Sequence, residues 1–351
     1  MNLQIALLLG QDGLTSGAIY ALLALAIVLV FTVTRVMLVP QGEFVTFGAM
    51  TMAALQAGQP ALLAWLLLGA AALHWLLGLV SAWRQRGPDG ARRWPAALGW
   101  RALLWPAWAL ALLALAPLVS GAQQPALLQV LYTLALIVPM GPLMYDLCFK
   151  PVASAHALVL LIVSIAVHVL LVGLSLLMFG AEGARTQPFS EAGFEIGPVM
   201  LNSQTLWVLA ASLAIIGGLW LFFERTLSGK ALRATAISRL GAELMGISPT
   251  TAGRASMGLA AAIGALSGVL IAPITTLYYD SGFIISLKGF VGAVVGGLAS
   301  YPVGAAGALA VGLVESFSTF WASAYKEVLV FTLILPVLLW RSLTTHHHEE
   351  E

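Results

Sequence analysis

The chain has 351 residues, of which 60% are hydrophobic and only 9% are charged, and its formal net charge at pH 7 is +1. A water-soluble fold cannot hide that much apolar surface behind so little charge, so the composition predicts an integral, polytopic membrane protein. The near-neutral charge gives no reason to expect nucleic-acid binding. The single cysteine, Cys148, excludes a disulfide framework within one chain.

The apolar runs predict an all-α transmembrane bundle of about nine or ten spans, one of them broken or re-entrant, because each crossing needs roughly 20 apolar residues. In chain order, we place the spans at residues 14–38, 43–57, 60–83, 102–120, 125–145, 156–179, 205–223, 255–275, a broken pair at 290–316, and 327–340. Residues 1–345 then form a single transmembrane domain, and residues 346–351 form a disordered tail of His and Glu. The start of the chain lacks the basic residues and cleavage site of a signal peptide and is expected to lead into the first span.

Charge predicts which polar links face the cytoplasm. Residues 84–101 hold five Arg against one Asp, and residues 224–254 hold five Lys or Arg against two Glu. Because basic residues are retained on the inner side, both links are predicted there, and the Glu-containing link 181–199 is predicted outside. For residues 84–101, a plain topology signal and a contact with an ATPase or with anionic lipid headgroups both stay open.

The segment 224–254 is polar and compatible with a helix, although it lies between long apolar runs. The spacing of apolar residues over 230–245 predicts one short amphipathic helix, which is stopped by Gly246 and Pro249. Its apolar stripe consists of Leu232, Ala236, Leu240 and Leu244. Such a helix suits a groove on a partner protein, so we expect a soluble partner to dock there.

Small residues mark a second group of candidate residues, for the translocation path or for helix packing. The run 290–316 is interrupted near its middle, which is tolerated only where the freed backbone is covered by protein or lines a cavity. Broken helices of this kind lie beside the substrate path in transporters, and a loop between two ordinary helices is the equal alternative. Glycines spaced four apart favour close helix packing over a direct role in transport. The candidates for the translocation path or for helix packing are Gly42, Glu43, Gly264, Gly268, Gly292, Gly296, Gly297 and Glu315.

Ionisable residues within the spans are few. We expect His74, His156 and His168 to be neutral, hydrogen-bonded residues, because no Asp or Glu accompanies them at helical spacing. Lys288 and Lys326 fall near predicted span ends, and we interpret both as solvated anchors.

The motifs of several enzyme classes are missing. Gly229 and Lys230 are followed by Ala231 and lack the upstream glycine of a phosphate loop, so the chain is not expected to use ATP by itself. Zinc motifs with His and Glu, a GxSxG elbow and paired cysteines are also missing. We therefore expect no catalytic residue, no metal site and no cofactor bound by this chain.

Several segments resemble one transporter family. GLTSGAIYALLALAIVLVFTVTRV from Gly13, QGEFVTFGAM from Gln41, YDLCFKPVASAHALVLLIVSIAV from Tyr145, GKALRATAISRLGAELMGI from Gly229 and KGFVGAVVGGLASYPVGAAGALAVGLVES from Lys288 occur in this order. Together they resemble the permease subunits of branched-chain amino-acid ABC importers.

The resemblance implies a multi-pass subunit of the bacterial inner membrane, in contact with membrane lipid. It would pair with a homologous or identical second permease above two cytoplasmic ATPase subunits, which use the ATP. It would receive substrate from an extracytoplasmic solute-binding protein and move it by alternating access. The resemblance makes residues 224–254 an ATPase-coupling loop, with Gly229, Lys230, Arg233, Ala236, Ala242, Glu243, Gly246 and Ile247 as its candidate contacts.

The chain also departs from the family pattern. Residues 60–124 add a pair of spans, and Val39 and Gln41 stand where the family often has Asn and His. Relatives of this family also carry urea, amides and aromatic acids, so the transported molecule stays open. An ion-coupled secondary transporter or channel working without an ATPase is the alternative, and it predicts coordinating or charged residues deep in the spans.

Overall fold

The computed structural model describes residues 3–84, 100–190, 192–196, 199–295 and 301–344. The helices are α1 (Leu3–Thr34), α2 (Gln41–Gln56), α3 (Leu63–Arg84), α4 (Trp100–Val119), α5 (Ala126–Ile137), α6 (Met140–Met144), α7 (Ala157–Phe179), α8 (Ser203–Arg225), α9 (Leu227–Ile237), α10 (Arg239–Leu244), α11 (Pro249–Ile271), α12 (Ser281–Val295), α13 (Tyr301–Ala322), α14 (Lys326–Thr332) and α15 (Ile334–Thr344). Short helical turns at Tyr145–Phe149, Lys150–Val152 and Ser323–Tyr325 join some of them. The one sheet of the described residues is an antiparallel hairpin of β1 (Gly193–Ile196) and β2 (Val199–Asn202).

The predicted all-α polytopic bundle is confirmed. Seven helical segments of the described residues are long and apolar enough to cross a membrane, and two shorter apolar helices accompany them. The added region 60–124 forms α3 and α4, which pack against each other. The arginine-rich link between them falls mostly at residues 85–99, outside the described residues.

Small residues position α1 at the centre of the bundle. Gly13 lies against Leu313 of α13, and Gly17 lies against Leu309, so the two helices run antiparallel at close range. A methyl group at Gly312 would overlap the backbone of Gly17. This close approach follows from the absence of side chains, as expected for helices packed in lipid.

Helix α2 is a core helix. It has 16 residues, fewer than a crossing needs, and most of them are buried. A methyl group at Gly268 of α11 would overlap the carbonyl oxygen of Val45, and one at Gly282 of α12 would overlap that of Gly42. The predicted span 43–57 is therefore enclosed by α11 and α12 instead of facing lipid.

The connection between α1 and α2 is irregular and covered by protein. Arg35 has a φ of 61°, and the chain then remains non-helical up to Pro40. The backbone N–H of Val39 donates to Ser164 Oγ at 3.0 Å, and the Ser164 hydroxyl donates to the carbonyl oxygen of Met37 at 2.7 Å. Because Ser164 lies within α7, these bonds satisfy irregular backbone inside the bundle, as hydrocarbon surroundings require.

The two ends of the bundle differ. At one end, Ala184 and Leu277 pair their backbones, and the N–H of Gln187 donates to Gln56 Oε1 at 2.8 Å. The hairpin lies at this end, just before α8 begins. The 23 residues of α8 span about 35 Å at 1.5 Å per residue, so α9 and α10 lie at the opposite end.

The run 290–316 forms two helices. Helix α12 ends at Val295 and α13 begins at Tyr301, while residues 296–300 lie outside the described residues. Gly292 lies against Ala308, so the two helices pack side by side.

Candidate functional site

The predicted coupling helix is divided into two. The prediction of one helix over residues 230–245 is wrong, because α9 ends at Ile237 and α10 begins at Arg239. Ser238 between them has extended backbone with φ −149°, and its hydroxyl accepts a hydrogen bond from the N–H of Gly241 at 3.0 Å. Serine competes for backbone hydrogen bonds and favours caps over helix interiors, which explains the break.

One face of this loop is fixed to the bundle. Leu232 is 2% exposed and belongs to an apolar cluster with Phe223 of α8 and Leu29 of α1, with Ala236 packed beside it. Gly229 lets α9 lie against the end of α8, since a methyl group there would overlap the Phe222 carbonyl oxygen. The loop is therefore held in place by packing as well as by its chain connections.

The end of the loop is also ordered by short-range contacts. Ala242 is buried, and the N–H of Ile247 donates to its carbonyl oxygen at 2.9 Å. Gly246 has a φ of 80°, in the left-handed region that favours glycine. Pro249 does not stop the preceding helix but starts α11 at its first position, where proline costs little.

Several large apolar side chains of the loop are exposed in the described part of the chain. The predicted stripe does not stay together, because Leu232 faces inward while Leu240 and Leu244 face outward. Five large apolar side chains, between 69% and 87% exposed, form what we call the apolar loop surface: Leu227, Ile237, Leu240, Leu244 and Met245. Exposed apolar patches mark sites of contact with other proteins or with the membrane.

Charged residues surround the apolar loop surface. Arg233 Nη2 lies 2.7 Å from Glu224 Oε1, and both side chains are nearly half exposed. Lys230 and Glu243 are exposed, and neither forms an ion pair within the described residues. The loop thus exposes both apolar and charged side chains.

A second set of charges joins the loop to the added region. Arg254 Nε, on α11, lies 2.8 and 2.9 Å from the two carboxylate oxygens of Asp146. His74 Nε2, on α3, lies 3.4 Å from Asp146 Oδ2. The three residues come from distant parts of the sequence, so helical spacing gave no signal for this cluster.

Lys288 lies inside the bundle. The interpretation of Lys288 as a solvated anchor is wrong, because this residue is 5% exposed and its Nζ forms a short ion pair with Glu315 Oε1. The hydroxyl of Tyr20 donates to Glu315 Oε2 at 2.7 Å, and the Lys288 ammonium lies 5.8 Å from the centre of the Tyr20 ring. The partners come from α1, α12 and α13, which explains why one-helix patterns missed them.

Glu43 also lies inside the bundle, but its contacts differ. Its carboxylate is fully buried, and His168 Nδ1 lies 2.9 Å from Glu43 Oε1. The angles at this contact are not those of a hydrogen bond, and neither carboxylate oxygen has another partner within the described residues. The contact is therefore a close approach of imidazole and carboxylate without hydrogen-bond geometry. The imidazole of His168 packs on Phe283, with ring centres 4.6 Å apart.

A cavity of about 300 Å³ adjoins this pair. Phe283 lines it together with apolar residues of α1, α7 and α12, including Phe31, Leu161 and Phe290. Because Phe283 contacts both the cavity and His168, two side chains, His168 and Phe283, separate the buried carboxylate of Glu43 from an apolar space.

The glycine candidates lie at helix contacts. Gly42 lies against Gly282, Gly264 against Phe44 and Gln41, Gly268 against Val45, and Gly292 against Ala308. Gly296 and Gly297 lie outside the described residues. In the described part of the chain, no group of three or more His, Cys, Asp or Glu has the arrangement of a metal site.

Comparison with known proteins places these features in a family. Residues 95–338 match the family model described as branched-chain amino acid transport system / permease component. This range includes the apolar loop surface and Glu315 but excludes Glu43 and the segments that begin at Gly13 and Gln41. No solved structure matches the chain.

Individual relatives agree with the family model. The chain is 26% identical over 200 residues to the high-affinity branched-chain amino acid transport system permease protein BraD of Pseudomonas aeruginosa, a match covering 55% of this chain and 65% of BraD. It is 27% identical over 198 residues to the permease protein LivH of Escherichia coli and of Salmonella typhimurium, covering 54% of this chain and 64% of each relative.

The chain thus spans slightly less than two thirds of the curated relatives that it matches. With its apolar helices it is a multi-pass protein of the bacterial inner membrane. Since the family model covers more than half of its length, the chain belongs to the family of permease components of branched-chain amino acid transport systems.

Proposed function

We propose that this chain is the non-catalytic, membrane-spanning subunit of an ATP-driven importer for branched-chain or related amino acids. The observation that carries the proposal is the apolar loop surface, which lies on a packed and ordered loop yet stays exposed among the described residues. Two ATPase subunits dock on this surface and on that of a second, homologous or identical permease. ATP is used by the ATPases, and an extracytoplasmic binding protein delivers the substrate.

The packing of the loop supports this role. A docked helix transmits motion only if it is tied to the spans, and Leu232 and Gly229 tie α9 to α1 and α8. Arg254, on α11, extends the connection to Asp146, on the helical turn Tyr145–Phe149 that follows α6. Movement of the ATPases would therefore reach three spans through apolar packing and one ion pair, which is a contiguous physical route for coupling.

The experiment compares two exposed leucines. Leu244→Ala removes an 80% exposed side chain from the apolar loop surface, and Leu177→Ala removes an 81% exposed side chain at the far end of α7. Co-purification of ATPase subunits and ATP-dependent uptake should fall with Leu244→Ala and remain unchanged with Leu177→Ala. Equal effects of the two changes, or normal assembly with Leu244→Ala, would show that the ATPase contacts another surface.

A second candidate function is ion-coupled transport without an ATPase. The observation that favours it is the presence of buried charges, since Glu43, Lys288 and Glu315 all lie inside the bundle. Charged groups within the membrane mark ion pathways in secondary transporters. Uptake by the purified chain in vesicles, driven by a proton or sodium gradient with no ATPase present, would favour this function over the first.

A further inference from the structure

A second concave surface lies beside the coupling loop. A groove of about 380 Å³ is lined by α1, α8, α9 and α13. Its walls are apolar and include Leu25, Leu29, Leu219, Phe223 and Ala305. Trp220 also lines the groove and is 62% exposed, so the groove reaches the outer surface of the bundle.

One end of the groove is positively charged. Arg233 is the only charged residue among those that line it. The guanidinium has five N–H donors, and its hydrogen bond to Glu224 uses one of them. The remaining donors are available to an acceptor with several oxygens, such as a phosphate.

The surroundings of Arg233 add to this charge. Arg35 and Arg225 are exposed, and like Lys230 they form no ion pair within the described part of the chain. Arg35 follows the end of α1, whose Leu25 and Leu29 line the groove, and Arg225 ends α8. This end of the bundle therefore carries excess positive charge next to an apolar cleft.

The combination fits an amphiphile with a negative head. We propose that the groove binds an anionic phospholipid, with one acyl chain along α8 and α13 and the headgroup phosphate at Arg233. An apolar groove on a membrane helix bundle is filled by hydrocarbon, and basic residues at the cytoplasm-predicted margin select anionic headgroups. Trp220 is an amphipathic ring of the type that lies at the membrane interface. A zwitterionic amino acid fits less well, because no carboxylate lines the groove to receive its ammonium group.

The lipid groove is lined in part by the loop that contains α9. Arg233 belongs to α9, whereas the apolar walls belong to the spans, so a bound lipid bridges the loop and the bundle. The proposal concerns binding by this chain alone and holds whether or not an ATPase docks on the loop.

Trp220 provides a local probe for the test. The purified full chain is placed in phosphatidylcholine nanodiscs that contain a small fraction of lipid with brominated acyl chains, which quench nearby tryptophan fluorescence. The chain has 11 Trp, so the signal of interest is the difference between the unaltered chain and Trp220→Phe. Brominated phosphatidylglycerol is compared with brominated phosphatidylcholine at the same mole fraction.

We expect phosphatidylglycerol to quench the Trp220 signal more strongly than phosphatidylcholine does. Arg233→Gln should remove this excess and lower the apparent affinity for phosphatidylglycerol about tenfold, the usual effect of losing a charge-assisted hydrogen bond. Arg225→Gln is the matched control, because it removes the same charge at the same end without touching the groove, and it should keep the excess. Ala305→Leu narrows the groove without changing the loop, and it should lower quenching by both lipids.

Three results would overturn the proposal. Equal quenching by the two lipids would mean that the headgroup is not recognised. If Arg225→Gln removes as much of the excess quenching by phosphatidylglycerol as Arg233→Gln does, the lipid is attracted by the general positive charge of this end and not by Arg233. No Trp220 quenching by either lipid would mean that another protein segment or a second copy of the chain covers the groove. If Arg233→Gln is not monodisperse after purification, the test rests on Ala305→Leu. Unchanged quenching of Trp220 in Ala305→Leu would contradict binding in the groove.

Discussion

Two pairs of ionisable residues, Lys288 with Glu315 and Glu43 with His168, lie inside the same bundle and differ in how their polar atoms are satisfied. At Lys288 and Glu315, both carboxylate oxygens have partners, because Lys288 contacts one and the Tyr20 hydroxyl donates to the other. At Glu43 and His168, the imidazole Nδ1 lies 2.9 Å from the carboxylate, but neither carboxylate oxygen makes a hydrogen bond within the described residues. The first pair has the geometry of a structural clamp between three helices.

The difference predicts that the two pairs contribute differently to the stability of the fold. A buried charge is tolerated at low cost only when it is paired and hydrogen-bonded. Lys288 meets this condition. Glu43 lies close to His168 but makes no hydrogen bond within the described residues, and His168 packs on Phe283, which lines the cavity. The comparison predicts that removing one partner of the first pair destabilises the fold more than removing the charge of Glu43 does.

The largest effect is expected from Glu315→Gln. This change leaves the Lys288 ammonium buried without a countercharge, and breaking a buried pair in this way costs about 3–5 kcal/mol. The free energy of unfolding of the purified chain in mixed micelles would measure it. The double variant Lys288→Met with Glu315→Leu replaces both charges by apolar groups and should regain most of the loss. A double variant as unstable as Glu315→Gln would show that the charges are not a clamp.

Asp146→Asn is expected to lower the free energy of unfolding by less than Glu315→Gln does. The carboxylate of Asp146 is 6% exposed, but its partner Arg254 is 42% exposed and His74 is 30% exposed, so water can replace part of the interaction. Hydrogen bonds to charged groups contribute about 1.5–3 kcal/mol, and we expect a loss in that range. Unfolding of Asp146→Asn and of His74→Ala, measured side by side, would separate the two partners. A loss as large as that of Glu315→Gln would contradict the dependence on burial.

The sequence predicted the bundle but not these pairs. Apolar runs and basic links depend on residues that are close in the chain, and so the spans and the helical segment between α8 and α11 were recognisable without coordinates. Glu43 and His168 are 125 residues apart and Tyr20 and Glu315 are 295 apart, so helical periodicity carries no information on their contact.

The coupling loop shows the same limit at shorter range. Its apolar residues were predicted to lie on one stripe, but the cap at Ser238 turns Leu240 and Leu244 away from Leu232. The serine is a recognisable N-cap residue in the sequence, and its position six residues before Leu244 was the available signal. Which side faces the bundle depended on Phe223 and Leu29, which only the fold brings together.

Glu43→Gln, unlike Glu315→Gln and Asp146→Asn, is not expected to lower the free energy of unfolding. The amide has nearly the same shape as the carboxylate but carries no charge, so the free energy of unfolding should stay the same or rise by about 1 kcal/mol. Uptake by the assembled transporter should fall at least tenfold if the charge serves transport. Unfolding and uptake are measured on the same preparation. A fall in stability comparable to that of Glu315→Gln would remove the distinction between the two pairs.

The smallest effect is expected at the exposed pair of Arg233 and Glu224. Both side chains are more than 40% exposed, and pairs of this kind contribute about 0–1 kcal/mol and are weakened by salt. Arg233→Gln should therefore change the free energy of unfolding by less than about 1 kcal/mol, with the difference shrinking further at high salt. Denaturant unfolding of both proteins at low and high ionic strength measures this. A loss above about 2 kcal/mol would place Arg233 among the structural charges. With stability unchanged, any loss of lipid quenching or ATPase docking in this variant reports on the contact that the guanidinium makes, because the loop is held in place by Leu232 and Gly229 without it.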